Sequence, residues 1–261
     1  MLFGKTILVT GVASGIGART AELAGQMGAE VIGVDVREPA SGSAAFIKGD
    51  LSTASGVADI VAQLPARLDA LANVAGLSGS TGVVSTLAVN FYGLRALSEA
   101  VAPRLREGGA IVNVASIAGY GWRANLERGK SLAGIDGFPE VAAVVAEHGL
   151  KDEEGYPLSK ELLLLWTMRA AHQPLFKNRG IRVNAVSPGP VETPILKQFR
   201  AVLGDARVDS DITRVGRAGT SADIAPAVLF LCSDGARWIN GANIAVDGGL
   251  EASINAEVLG F

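Results

Sequence analysis

Short apolar runs alternate with longer Ala- and Leu-rich stretches along most of this chain. Ile7–Thr10, Val31–Val34, Ala45–Ile47, Leu68–Val74, Ile111–Val114, Ile181–Val186 and Gly241–Val246 read as strands. Each is apolar along nearly its whole length rather than at alternate positions, the pattern of strands covered on both faces. Between them, Gly15–Met27, Ala54–Leu64 and Ala88–Leu105 carry the helical pattern. Strands alternating with helices predict an α/β chain with a doubly wound Rossmann fold. The expected sheet is seven-stranded and parallel, in the order 3-2-1-4-5-6-7, with helices on both faces.

Residues 117–155 break this rhythm. They hold a helix-like stretch, Phe138–His148, beside a Gly- and charge-rich tail. A structureless loop of that length is uncommon inside a compact domain, so the segment is expected to form a small helical insert next to the active site. Residues 190–215 are expected to form a substrate-binding segment that lines the pocket together with the insert.

Composition narrows the class. With 261 residues, 49% of them hydrophobic, the chain can bury one large core, and a single domain over 1–261 is expected. Its 33 glycines and only 5% aromatic residues suit closely packed α/β layers. A net charge of −3 leaves no basic footprint for nucleic acid or an anionic membrane. Cys232 sits alone in an apolar run and reads as a buried, inert thiol. The N-terminus lacks the layout of a secretory signal, and the most apolar stretch, Leu162–Leu165, is too short for a bilayer. A cytoplasmic protein is expected. His148 and His172 are isolated, with no metal-ligand spacing, so no metal site is expected.

The chemistry starts at the first strand–helix turn, Thr10-Gly11-Val12-Ala13-Ser14-Gly15-Ile16-Gly17. Glycines there allow a tight turn and bring backbone close to a pyrophosphate at a helix N-terminus. Asp35 ends the second strand, where a carboxylate can accept both ribose hydroxyls of an adenosine and repel a 2′-phosphate. NAD is therefore the expected cofactor, with Arg37 the feature that softens the exclusion of NADP. Asp50-Leu51, after the third strand, is placed to meet the adenine.

Tyr156-Pro157-Leu158-Ser159-Lys160 sets a tyrosine and a lysine at i and i+4, on one helix face. Pro157 belongs in a first turn, which puts Tyr156 near a helix N-terminus. A tyrosine ordinarily titrates near pH ~10; a nearby ammonium and the positive helix end would lower that. Ser116 closes the fifth strand, where ligands of parallel sheets bind. Asn90 is a polar residue in an apolar helical run: either a satisfied structural bridge or part of a proton relay.

Taken together, Thr10-Gly-x-x-x-Gly-x-Gly17, Asn73-Val74-Ala75-Gly76, Asn90, Ser116, Tyr156-x-x-x-Lys160 and Pro188-Gly189 resemble the short-chain dehydrogenase/reductases over essentially the whole chain. The resemblance implies that Tyr156 is the general acid/base, that Ser116 bonds the substrate oxygen, that Lys160 holds the nicotinamide ribose and lowers the Tyr156 pKa, and that Asn90 anchors a relay water. It implies cofactor contacts from Gly11, Ser14, Gly15, Ile16 and Gly17, then from Asn73, Ala75 and Gly76. Pro188, Gly189, Val191 and Thr193 would lie on the nicotinamide side.

Two departures stand out. Val74 replaces the usual second asparagine, and the insert before Tyr156 is one that most members lack, similar to the 3α-hydroxysteroid dehydrogenase/carbonyl reductase branch. Gln63-Leu64-Pro65, Ser187–Val191 and Arg237–Gly241 resemble the coniferyl-alcohol dehydrogenase branch. Trp122, Phe138, Ile195, Leu196 and Phe199 are apolar candidates for the substrate pocket, or else pack the insert onto the body. A dry pocket suits an aromatic or alicyclic alcohol. Three readings follow: a dehydrogenase of a hydrophobic aromatic alcohol, a hydroxysteroid dehydrogenase or general carbonyl reductase, and a non-catalytic NAD-binding protein. The helix after Tyr156 is apolar on more than one face and needs a second cover. A homodimer or homotetramer is expected, with the insert pushing the interface toward the C-terminal helix and strand.

Overall fold

The computed structural model describes residues 2–40 and 45–261. Its strands are β1 (Thr6–Thr10), β2 (Glu30–Asp35), β3 (Ala45–Lys48), β4 (Leu68–Asn73), β5 (Leu105–Val114), β6 (Arg182–Pro188) and β7 (Asn243–Val246). They form one seven-stranded parallel sheet in the order β3-β2-β1-β4-β5-β6-β7, as the apolar pattern predicts. A two-residue bridge, Val191–Glu192 to Gly219–Thr220, stands apart from it. β5 starts earlier than its apolar run because Leu105 pairs with Leu68 across a register shift.

Of the helices, α1 (Gly15–Gln26) and α2 (Ala54–Ala62) lie where the sequence puts them. The next one begins earlier than its apolar pattern. It runs as α3 (Val83–Leu87), a π turn (Ala88–Gly93) and α4 (Leu94–Val101). The π turn widens the helix around Asn90, and Gly93 fits there because a Cβ would meet the Leu51 carbonyl oxygen at 2.0 Å. One face of the sheet packs on α1 and a later helix through Ile7, Val9, Val112, Val228 and Leu229. The other packs on α2, α4 and the helix bearing Tyr156 through Leu8, Leu71, Ile111, Leu97 and Leu162. Cys232 is buried in the first of these layers, and burial pushes its thiol up to about 12.

The insert is helical, but more so than its pattern suggests. It opens with a 3₁₀ segment (Ile117–Arg123), continues with α5 (Leu126–Ala133) and α6 (Val141–Glu147), and ends in a turn before α7 (Gly155–Ala170). α5 lies on α7 so closely that a Cβ on Gly129 would meet Leu165 Cδ1 at 2.3 Å. Arg95 of α4 is buried and donates to the carbonyls of Ala133 (3.2 Å) and Gly137, while the Tyr92 hydroxyl donates to the Leu132 carbonyl. The insert therefore covers the outer faces of α4 and α7, which is why α7 can be apolar nearly all round.

Beyond α7, the short α8 (Pro174–Lys177) leads into β6. After it come α9 (Pro194–Leu203), α10 (Asp205–Val215), α11 (Ser221–Cys232) and the C-terminal α12 (Leu250–Leu259). Among the described residues, no helix is long and apolar enough to cross a membrane.

Replacing Arg95 by methionine keeps the buried stem but strands the two insert carbonyls. Each lost partner costs about 1–3 kcal/mol. Urea denaturation should register a loss of about 2–4 kcal/mol, and amide exchange across 133–137 should accelerate. Unchanged exchange in that segment would refute the role given to Arg95.

Candidate active site

The site lies where the sheet's connections reverse, between β1 and β4, the place at which open parallel sheets leave a crevice. The two strand ends are stitched there by one side chain. The buried Thr10 hydroxyl accepts from the backbone N–H groups of both Val74 and Ala75, at 3.0 Å each. The neighbouring Gly11 has φ +78°, and a Cβ on it would lie 2.8 Å from the Ala75 backbone. Only glycine permits that approach. Gly17, in the first turn of α1, is equally constrained: its Cβ would fall 2.1 Å from the Gly11 carbonyl oxygen.

A cavity of about 1020 Å³ opens from this junction. Gly11, Ser14, Gly15, Ile16 and Gly17 line one end, with Asp35, Asp50 and Leu51 beside them. Ser14 precedes α1 in extended conformation, and its side chain makes no capping hydrogen bond. The first N–H groups of this helix are thus left to an anion, favoured there by the helix dipole as well. The Asp35 carboxylate accepts from Ala13 N and Arg37 N, both at 3.0 Å, and so holds the glycine loop against β2 with lone pairs to spare. The Asp50 carboxylate turns to the Ser52 N–H and hydroxyl (2.8 and 2.9 Å) at the entry to α2. Further along come Val74, Ala75 and Gly76, then Pro188, Gly189, Val191 and Thr193. This lining, glycines and a helix N-terminus at one end with a strand-end carboxylate beside them, fits a dinucleotide.

Ser116, Tyr156 and Lys160 meet in the middle of the same cavity. α7 begins at Gly155, so Tyr156 and Lys160 share its first turns and one face. Ser116 ends β5, caps the 3₁₀ turn by accepting from Ala118 N at 3.1 Å, and lies close enough to the Tyr156 hydroxyl to pull its pKa down. The buried Lys160 ammonium donates to the Val114 carbonyl at 2.8 Å and lies 5.6 Å from the Tyr156 ring centre. Burial pushes the Tyr156 phenol up to about 12, with Ser116 pulling the other way. Burial brings Lys160 down to about 8. Desolvation of the phenol thus dominates, opposite in direction to the lowering expected from Lys160.

Asn73 and Asn90 stand apart from the cavity wall. Both are fully buried. Asn73 Nδ2 donates to Ser98 Oγ (2.8 Å) and Asn113 Oδ1 (2.9 Å), and Asn113 in turn donates to Thr167, so this chain of amides joins β4, β5, α4 and α7. Asn90 Oδ1 accepts from Leu77 N (2.7 Å), while its Nδ2 donates to the Leu77 carbonyl (2.9 Å) and to Ser159 Oγ (3.1 Å). The Asn90 side chain thus bridges the loop after β4 to α7.

Ile195, Leu196 and Phe199 line the cavity as expected, and Phe199 packs edge-on against Tyr156 with ring centres 4.5 Å apart. Trp122 and Phe138 do not line it. Trp122 faces a smaller neighbouring cavity, and Phe138 packs against Tyr92 on the outer side of the π turn. The reason is the route of the insert: its first turn reaches the site, and its two helices run outward, α5 over α7 and α6 over α3. Sequence reasoning missed Leu77, Val89, Tyr120, Gln198 and Ile254, all on the wall. Gln198 accepts from Ser78 Oγ at 2.7 Å, tying α9 to the loop after β4.

The depressed Lys160 pKa has a consequence for stability. Folding disfavours its charged form, so the molecule is penalised below pH 8 and recovers as pH rises from about 8 toward the ordinary lysine value of ~10.4. Lys160→Met removes that penalty. The variant should be more stable than the parent at pH 7, by up to about 3 kcal/mol, with the advantage vanishing above pH ~10. Denaturation at both pH values tests this; an equal difference at both would contradict it.

Two family models cover the chain, "short chain dehydrogenase" over residues 5–143 and "Enoyl-(Acyl carrier protein) reductase" over residues 140–251. The sequence is 41% identical to coniferyl-alcohol dehydrogenase of a Pseudomonas species, over 97% of this chain and 98% of that enzyme. It is 32% identical to 3α-hydroxysteroid dehydrogenase/carbonyl reductase of Comamonas testosteroni, over 94% and 96% of the two chains. The crystal structure of a Pseudomonas 3α-hydroxysteroid dehydrogenase complexed with NADH superposes with a TM-score of 0.81 at 32% identity, covering 97% of this chain and 99% of that one. With the glycine loop, the Ser116–Tyr156–Lys160 cluster and the reversed sheet all in place, the chain belongs to the short-chain dehydrogenase/reductase family of oxidoreductases.

Proposed function

We propose that this chain is an NAD-dependent dehydrogenase that interconverts a hydrophobic, aromatic alcohol of the coniferyl type and its carbonyl compound. The observation that carries the reading is the meeting of Ser116, Tyr156 and Lys160 in a cavity that runs on to an uncapped helix N-terminus and to Asp35. The relatives support it: one is named a coniferyl-alcohol dehydrogenase, and the 3α-hydroxysteroid dehydrogenase holds NADH. Hydroxysteroid oxidation or general carbonyl reduction is the second reading, favoured by that structural likeness. Retention of Ser116, Tyr156 and Lys160 argues against a non-catalytic dinucleotide-binding protein.

Gly11, Ser14, Gly15, Ile16 and Gly17 would hold the pyrophosphate, Asp35 the adenosine ribose, and Ala75, Gly76, Lys160, Pro188, Gly189, Val191 and Thr193 the nicotinamide half. The chemistry that the dinucleotide supplies when bound is acceptance of the carbinol hydride. Ser116 Oγ and the Tyr156 hydroxyl bond the substrate oxygen, and Tyr156 Oη takes or returns its proton. Protonated near neutrality, with its pKa at about 12, the phenol is ready to donate to a carbonyl oxygen; alcohol oxidation needs it deprotonated and is favoured by alkali. Asn90 acts as a positioning residue, through Leu77 and Ser159. Ile195, Leu196 and Phe199 exclude water and receive the aromatic body of the substrate.

The protein is further proposed to work in the cytoplasm as a homodimer or homotetramer. With α4 and α7 covered by the insert, the open edge of β7 and the exposed Phe230 and Trp238 nearby in sequence are the surfaces left for a second copy.

The deciding experiment is turnover of cinnamyl alcohols against steroids, with NAD and NADP in parallel, followed by the absorbance of reduced nucleotide. Reduction of neither nucleotide by any alcohol would end the proposal. Tyr156→Phe should lose about 10²–10⁴-fold in kcat while still binding NADH, as seen by fluorescence; a smaller loss would remove Tyr156 from the acid/base role. Asp35→Asn keeps the shape of the ribose contact but not its charge. It should shift the kcat/KM ratio toward NADP by about tenfold or more, equivalent to about 1.4 kcal/mol, and an unmoved ratio would refute the charge argument.

A further inference from the structure

Beside the main cavity lies a second one of about 210 Å³, walled in part by Trp122, Arg123, Thr167, Ser187 and Glu251. Ser116, Ile117 and Tyr120 line both cavities and so form the wall between them. Ser116 is fixed at the strand end by its bond to Ala118 N. Tyr120 contributes the large side chain of this wall, and it is tethered: its hydroxyl donates to Asn255 Oδ1 of α12 at 2.6 Å. The same helix supplies Leu250 and Ile254 to the large cavity and Glu251 to the small one, so α12 bounds both. The small cavity is polar: Arg123, its guanidinium 4.3 Å from the Trp122 ring centre, and Glu251 bring charge to it, and Thr167 and Ser187 bring hydroxyls.

We infer that Tyr120, held by Asn255, is a partition that sets the size limit of the substrate site, and that the small cavity behind it is an annex for a polar substituent of a bulkier alcohol. This deepens the dehydrogenase reading above and rests on it. An apolar annex would extend the pocket for any large hydrocarbon. A polar one this close to Ser116 rewards a ring bearing a hydroxyl or ether group and discourages a bare hydrocarbon, because buried polar groups left without partners are costly. The tether matters because the ring has to swing for the annex to be reached, and a hydrogen bond to α12 opposes that swing.

The test compares kcat/KM for a slim substrate, benzyl alcohol, with that for a hydroxylated naphthylmethanol, in the parent, Tyr120→Phe, Asn255→Ala and Tyr120→Ala. Removing only the tether should raise the bulky-to-slim ratio a few-fold, alike in Tyr120→Phe and Asn255→Ala. Removing the ring should raise it about tenfold or more. If Tyr120→Ala does not fold, the two tether variants carry the test. A ratio unchanged in the variants that fold overturns the inference. If the parent turns over no alcohol at all, the dehydrogenase reading fails by itself. The partition is then judged by a crystal structure of a folded variant, which should show the two cavities joined in Tyr120→Ala or the ring displaced in Tyr120→Phe; an intact wall would overturn it.

Discussion

The close approach of β1 and β4 at their carboxyl ends is the constraint on which the site depends. A sheet whose connections reverse between two strands leaves a crevice there, but the crevice is useful only if the two loops flanking it are held in register. Thr10 does this with a single hydroxyl that takes both the Val74 and Ala75 N–H groups, and Gly11 lets the backbones come within contact distance. That junction aims α1 at the cavity and fixes its uncapped N-terminus beside Asp35. It also explains why valine is acceptable at position 74: this loop is held through its backbone, not through the residue 74 side chain.

The second organising feature is the burial of Lys160. An ammonium with 4% exposure and a backbone carbonyl as its partner is expensive to keep charged, and desolvation lowers its pKa accordingly. The same environment pushes the Tyr156 phenol in the opposite direction. Two groups that are nearly matched in proton affinity in water are thereby driven apart, the phenol to about 12 and the amine to about 8, leaving a neutral phenol beside a more readily discharged amine. The molecule forgoes stability at this point to hold an ammonium and a phenol side by side out of water.

The insert contributes differently from what its position in the chain suggests. Although it directly precedes Tyr156, most of it runs outward over α3, α4 and α7, held by Arg95, Tyr92 and the absence of a side chain at Gly129. Glu161 of α7 is likewise buried, its carboxylate accepting from the Asn125 amide at 2.9 and 3.1 Å, so the helix bearing Tyr156 is clamped to the start of the insert. Rigidity of α7, more than a wall for the substrate, is what the insert supplies.

Much of this was legible from the chain alone. Strand positions, sheet order, the glycine loop, Asp35 and the Tyr156–Lys160 pair follow from local periodicity and spacing, because a parallel strand buried on both faces and an i, i+4 pair on a helix leave their mark within a few residues. The roles of Asn73 and Asn90 did not follow: whether a buried amide faces a cavity or bridges two elements depends on partners such as Asn113 and Ser159, far away in sequence. Nor did the placements of Trp122 and Phe138, which depend on the path of the insert after Ile117. The contribution of α12 to the cavity, through Leu250, Ile254 and the Asn255–Tyr120 bond, lies beyond any local signal, since it joins residues 135 positions apart. By itself, then, the sequence determined the fold and pointed to the glycine loop and the Tyr156–Lys160 pair, whose signatures are short-range. Tertiary structure alone decided the shape of the pocket and the proton affinities inside it, because both depend on which distant side chains exclude water from the same few ångströms.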